Sequence, residues 1–322
     1  MRRSAVTGFI LAVLTMALSL ATAAEEFPSR MITIIVPFPA GSATDSIARR
    51  LAGDLGRDFK VAVVVENKPG ADGNLAALAT LRAKPDGYTI FVTTNSTQAA
   101  NVSLFNSLPF DPKADFSPVA GLVTIPMLLT VRDDFPAKNI AEFIALAKKS
   151  ATPLTFGSGN QTGRGAGELL KAKAGINMLN VPYTGAPQAL TDLIGGRIDC
   201  FLADPVSATG LAKKGLIRVL AVTSTKRIPT MPDVPTLAES GLPSFELIAW
   251  VGAFVHAKTP RSIVTKLNAS MNAVLTDPTT AGYLATLGAT PFPTTPEQLA
   301  SFEEADTKRW AQIVEVAHIE KK

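Results

Sequence analysis

Cysteine, histidine and the larger aromatics are scarce in this 322-residue chain, which holds one Cys, two His, three Tyr and two Trp. A lone cysteine excludes an internal disulfide, so the fold must stand on its hydrophobic core. Cys200 lies in the apolar run of Ile198, Phe201 and Leu202 and reads as a small buried hydrophobe, not a nucleophile. No H-E-x-x-H or C-x-x-C pattern occurs, so the common zinc arrangements lack ligands, and no metal or cofactor is expected. No G-x-S-x-G elbow occurs either, which leaves serine and cysteine hydrolase chemistry without a nucleophile and base. His318 in the C-terminal tail and His256 beside Lys258 read as solvated. The pairs Asp133-Asp134 and Glu303-Glu304 are adjacent, and neighbours on a helix do not face one another, so both read as solvated faces. Basic residues are dispersed and bases would find few aromatics to stack on, which argues against a nucleic-acid partner.

What is present begins with a leader. Arg2 and Arg3 precede an uncharged apolar run at 9–20 and then Ala21, Thr22, Ala23 and Ala24. That is the layout of a signal peptide over residues 1–24, with an A-x-A-like cleavage point at 21–23. The run is shorter than the roughly 20 residues a spanning helix needs. No later run approaches that length without charge, Gly or Pro, so an exported, soluble mature chain is the expectation. Removing Arg2 and Arg3 from the 31 basic residues leaves 29 against 27 acidic ones, so the pI of 9.1 overstates its basic character. The roughly 300 residues that remain, at about 100 to 200 per domain, imply two domains.

Short β-branched runs alternate with helical patterns: a strand at 32–36, a helix presenting Ile47, Leu51 and Leu55, and a strand at 61–65. Further strands are predicted at 89–93, 127–131, 154–156, 198–202 and 219–222. Helices are predicted around 140–147, 169–173 and 263–275, where apolar residues recur at three- and four-residue spacing. The alternation predicts an α/β fold with largely parallel sheets. Pro-rich stretches at 108–118 and 229–243 read as lobe crossings or surface loops.

Two strand-to-helix turns look alike. The first runs through Pro37, Phe38, Pro39, Ala40, Gly41, Ser42, Ala43, Thr44 and Asp45, turning on Gly41 and starting a helix with Ser42 or Thr44 as N-cap. The second runs through Gly157, Ser158, Gly159, Asn160, Gln161, Thr162, Gly163 and Arg164. The free N–H groups and macrodipole of a helix start can hold a carboxylate without Arg or Lys, though the same residues also cap any helix. The second turn fails the G-x-G-x-x-G fingerprint because Thr162 stands where the third Gly belongs, and there is no P-loop. Two helix starts suit a small anion better than a dinucleotide. Thr94, Asn95, Ser96 and Thr97, then Tyr183 and Thr184, then Asp204 stand near predicted strand ends, where ligands gather in open α/β sheets. Trp250 and Phe254 fit either a pocket-lining return crossing or core packing.

These turns belong to a longer series of motifs. They are Phe27-Pro28-Ser29-Arg30, Val36-Pro37-Phe38-Pro39-Ala40-Gly41, Val65-Glu66-Asn67-Lys68-Pro69-Gly70-Ala71, Pro85-Asp86-Gly87-Tyr88-Thr89 and Leu108-Pro109-Phe110-Asp111-Pro112. Val181-Pro182-Tyr183, Asp192-Leu193-Ile194-Gly195-Gly196, Leu220-Ala221-Val222-Thr223-Ser224 and Pro232-Asp233-Val234-Pro235-Thr236 continue it. In them the chain resembles the receptor subunits of tripartite tricarboxylate transporters, the Bug receptors, over essentially its whole mature length.

The resemblance implies a two-lobed periplasmic binding protein fold of type II, each lobe a mixed sheet flanked by helices, with the ligand in the interlobe cleft. It implies no catalysis, closure on capture, and delivery to the permease subunits in the membrane. In such receptors a ligand carboxylate is held by backbone amides and waters from the two turns, here 39–45 and 157–162. Arg164 stands where the family often has His, and Thr184 where it often has Arg or Lys. Arg164 is therefore expected either to pair with a second carboxylate of the ligand, through the bidentate geometry that Arg allows, or to point to solvent from its helix. Lobe one is expected at 25–124 and 247–322 and lobe two at 125–246, in a monomer that binds a di- or tricarboxylate or an aromatic carboxylate. The rival readings are a ligand-dependent partner of a membrane sensor kinase and a secreted hydrolase or isomerase on the same scaffold.

Overall fold

The structure, a computed structural model, describes residues 26–322, so the leader expected at 1–24 lies outside the described residues. The first stretch contains β1 (Ile32–Val36), α1 (Ala43–Phe59), β2 (Val63–Asn67), α2 (Asn74–Leu81), β3 (Thr89–Thr94) and β4 (Phe116–Pro126). The middle runs β5 (Leu128–Arg132), α3 (Ile140–Lys149), β6 (Leu154–Ser158), α4 (Gln161–Ala174), β7 (Met178–Pro182), α5 (Ala186–Ile194), β8 (Cys200–Ala203), α6 (Pro205–Lys213) and β9 (Ile217–Val222). The chain ends with β10 (Ile248–His256), α7 (Arg261–Thr276), α8 (Pro278–Thr286), β11 (Thr290–Pro291) and α9 (Pro296–Val316). Among the described residues no helix is long and apolar enough to cross a membrane.

The local reasons are those of any α/β chain. In α1, Ile47, Leu51 and Leu55 are buried at four-residue spacing, Ser42 caps the start and Lys60 ends the helix in a left-handed conformation, φ 56°. β1 is buried along most of its length because helices cover both faces of its sheet, whereas β2, at the sheet edge, alternates half-buried and exposed positions.

The strands form two sheets, a six-stranded one in the order β11-β4-β10-β3-β1-β2 and a five-stranded one in the order β7-β6-β8-β5-β9. β1 runs parallel to β2 and β3, but β10 runs antiparallel to both of its neighbours, β3 and β4. In the second sheet β6 is parallel to β7 and β8, while β5 is antiparallel to β8 and β9. Both sheets are therefore mixed, not largely parallel: β5 and β10, the strands that follow the two crossings between sheets, run against their neighbours.

β4 begins inside the Pro-rich stretch that reads as a loop. Its Pro118 faces Phe254 at a register shift, one of the irregular positions where a strand tolerates a proline. At the crossings Thr223 ties both connections together. Its Oγ1 accepts from Met127 N–H (2.8 Å) and donates to the Leu247 carbonyl (2.5 Å), while its backbone bonds Met127 (2.9 Å) and Leu247 (3.1 Å).

One hydrophobic cluster joins the two sheets, with Ile35 and Phe91 of the first and Leu129 and Phe156 of the second. α9 supplies Leu299, Trp310 and Ile313 to it. A Cβ on Gly165 of α4 would lie 2.6 Å from the Trp310 ring, so only glycine lets these helices approach so closely. Trp250 is core: it packs on Phe302 and its indole N–H donates to Asp306 (2.8 Å).

Candidate functional site

The C-terminal end of β1 and that of β6 each feed a helix start, and the two starts meet between the sheets. Gln161 N–H of α4 donates to Ser96 Oγ (3.2 Å), and Thr162 Oγ1 donates to Asn95 Oδ1 (3.0 Å), so residues following β3 are stitched to the opposite sheet's helix. Ser96 opens a π-helical turn, Ser96–Ala100, a form that recurs at functional sites. Gly185 lies against Pro39: a Cβ there would fall 2.7 Å from the proline ring. The lobes are thus in contact.

Two cavities lie along this seam and share Phe38, Gly159 and Asn160. The larger, about 240 Å³, is also lined by Pro37, the turn 70–73, Ser96, Gln161, Pro182, Tyr183 and Thr184. At about 30 Å³ per water in the liquid, that is room for a small organic acid with some water. The smaller, about 20 Å³, reaches Ser42, Ala43, Thr44, Met127, Gly185, Ala186, Phe201, Leu202 and Asp204.

The electrostatics are unusual for an anion site. Neither cavity is lined by an Arg or Lys among the described residues, and the charged side chains present are Asp72 and Asp204. Asp72 is neutralised by Lys322 (2.6 Å). Burial pushes the Asp204 carboxyl up, against the bonds it receives from Ser207. Donors come from the helix starts. Asn160 Oδ1 caps Gly163 N–H (2.8 Å) and Ser42 Oγ caps Asp45 N–H (3.3 Å). The amides of Ala43, Thr44 and Thr162 belong to the first turns, which have no intrahelical acceptor. Gln161 is 2 % exposed and lines the larger cavity, and its Nε2 donates to nothing. Asn95 Nδ2, buried at the same seam, is also without an acceptor. Buried amide donors left unpaired are costly, and a ligand carboxylate is the kind of group that satisfies them.

Of the residues expected in the site, Phe38, Ser42, Ala43, Thr44, Gly159, Asn160, Gln161, Tyr183, Thr184 and Asp204 line one cavity or the other. Pro39, Asn95 and Thr162 make the lobe contact instead. Asp45 is turned into the protein. Burial would raise its carboxyl, but bonds from Arg49, Gly41 N–H and Asn67 outweigh that and lower it. Thr94 Oγ1 accepts from Ser96 N–H, Ser158 bonds Asn180, and Ala40 and Gly41 are exposed and line neither cavity. The Tyr183 hydroxyl is engaged by Asp192 (2.9 Å), and its pKa is pushed up to about 12 by burial and that carboxylate. Arg164 lines neither cavity, and its Nη2 donates to the Glu320 carbonyl (3.2 Å).

The turn 70–73 was not among the expected site residues. It carries positive φ at Gly70, Ala71, Asp72 and Gly73 and follows the C-terminal end of β2, where the strand-end rule places ligands. The pair Glu303-Glu304 is not a solvated face either. Glu304 is exposed, but Glu303 points inward and is 8 % exposed. Cys200 is buried, and burial raises its thiol far above the usual range.

A family model described as "Tripartite tricarboxylate transporter family receptor" matches residues 47–319. A protein of Pseudomonas sp. strain P51, "UPF0065 protein in tcbD-tcbE intergenic region", is 36% identical over 97% of this chain and 94% of its own length. Among solved structures, R. palustris Rpa4515 with adipate superposes with TM-score 0.90 and 32% identity, over 92% of this chain and all of that one. MatC of Rhodopseudomonas palustris with bound malate gives TM-score 0.84 and 33% identity, over 89% of this chain and all of that one.

Proposed function

Because the chain belongs to the tripartite tricarboxylate transporter receptor family, we propose that it captures a small di- or tricarboxylate in its interlobe cleft and delivers it to the permease subunits of such a transporter. The observation that carries this reading is a seam without cations where two helix starts meet around unpaired amide donors. One carboxylate faces the amides of Ala43 and Thr44 from lobe one and of Thr162 from lobe two, with Gln161 Nε2 beside them. Adipate and malate in the two solved relatives are acids of this class.

Lobe one comprises 25–124 and 247–322, lobe two 125–246, and the Thr223 clasp marks the crossings. A ligand touching both lobes stabilises the closed form by the difference in its affinity for the two states, and the permease recognises that form. The chain acts after export, with residues 1–24 removed, as a receptor and not as an enzyme, a reading that its membership of a receptor family supports.

A thermal-shift screen tests the reading, using mature protein refolded to strip bound ligand, against small carboxylates and their amides. Ligand at about 100 times its Kd adds roughly 2.7 kcal/mol, enough to raise Tm by several degrees. A rise confined to one class of carboxylates is the expected result. No rise with any carboxylate, together with a rise for a neutral sugar or a metal, would overturn it.

A further inference from the structure

A cavity of about 600 Å³ lies apart from the cleft, within lobe one between the π-helical turn, the 105–118 segment and α9. Its lining combines Val102, Phe105, Leu108, Phe110 and Phe116 with exposed charged residues, Asp111, Lys113, Glu304 and Lys308. Two buried acceptors stand among them. Glu303 is 8 % exposed, and its carboxylate receives one long contact, 3.4 Å, from Gln98 Nε2. Gln98 is 1 % exposed, and its Oε1 is paired with nothing. Lys113 and Lys308, which also line the cavity, both pair with Glu304.

We propose that this cavity is a second binding site, for a small organic amine that carries its ammonium on an apolar body. An ammonium presents three donors and a positive charge, and it meets two acceptors here, Gln98 Oε1 with no donor and Glu303 with only the long one from Gln98. The aromatic walls take the body, and they also attract a cation that lies over their faces. Burial, and then Asp111, push Glu303 up to about 8, so the ammonium binds with loss of the Glu303 proton and the titrations are run at about pH 8.5, above that value.

The test is calorimetric titration of the mature protein with 2-phenylethylamine and with its neutral counterpart 2-phenylethanol. The amine should bind the wild type at least about tenfold more tightly than the alcohol. Glu303→Gln keeps the shape and removes the charge, and it should erase that preference. Ser301→Trp, at an exposed lining position, should block both probes while the melting temperature stays near that of the wild type. The site is refuted by equal affinity for amine and alcohol, by an amine affinity unchanged in Glu303→Gln, by binding that survives Ser301→Trp, or by no binding at millimolar amine.

Discussion

The two cavities are chemical opposites built from neighbouring pieces of chain. The cleft offers donors with no cation, held between lobes that must meet to complete it. The inner pocket, formed within one lobe, holds buried acceptors, Gln98 Oε1 unpaired and Glu303 reached by one long bond. The π-helical turn connects them, since Ser96 at its first residue bonds Gln161 across the cleft and Gln98 two residues later reaches Glu303. On the two proposals, charge selectivity comes from which end of a hydrogen bond is left unpaired in a buried place. No formal countercharge is needed in the cleft, because helix starts supply the positive potential.

The largest expected effect separates the pockets by pH. Glu303 titrates near 4.5 in an unfolded chain and about 8 in the folded one. Between those values the folded chain keeps a proton the unfolded chain has lost, so the contribution is full below the lower value and disappears as pH rises through the upper one. Glu303→Gln should remove this slope, on the order of 3 kcal/mol in denaturant melts between about pH 5 and pH 8. The gain over wild type should appear at the alkaline end, and cleft binding should be untouched.

Next is the seam. Gly185 has an extended backbone, φ 178°, so alanine strains nothing locally, but its Cβ would press on Pro39. Gly185→Ala should hold the lobes apart and weaken carboxylate binding by about tenfold or more in calorimetry, with amine binding unchanged. Thr162→Val removes the bond to Asn95 and leaves that amide oxygen unpaired in a buried place. About 1 kcal/mol, a fivefold loss of carboxylate affinity, is expected. Smallest is Arg164→Ala. Its side chain bonds the Glu320 carbonyl and lines neither cavity, so carboxylate affinity should move by less than about twofold. A tenfold loss would restore the expectation that Arg164 grips a second carboxylate.

Much of this was legible in the residues. The strand at 32–36, the face of α1 and the alternation of strand and helix follow from periodicity, and the two helix starts follow from their capping residues. β4 and β10 were hidden because Pro118, Gly121 and Gly252 break their β pattern, and their partners are far apart in sequence. The turn 70–73 was hidden because left-handed Ala71 and Asp72 leave no trace in residue type. Glu303 and Glu304 look equivalent in sequence. Their separation by α9 packing, one inward and one outward, depends on tertiary contact that no local pattern carries.

The central claim is that backbone amides from both lobes hold one carboxylate. Amide chemical shifts of the deuterated, ¹⁵N-labelled protein titrated with the tightest acid from the screen test it most directly. Downfield proton shifts at Ala43, Thr44 and Thr162 together, with residues 98–118 undisturbed, are the predicted result. Shifts limited to one lobe, or none at these three amides while the acid binds, would contradict it.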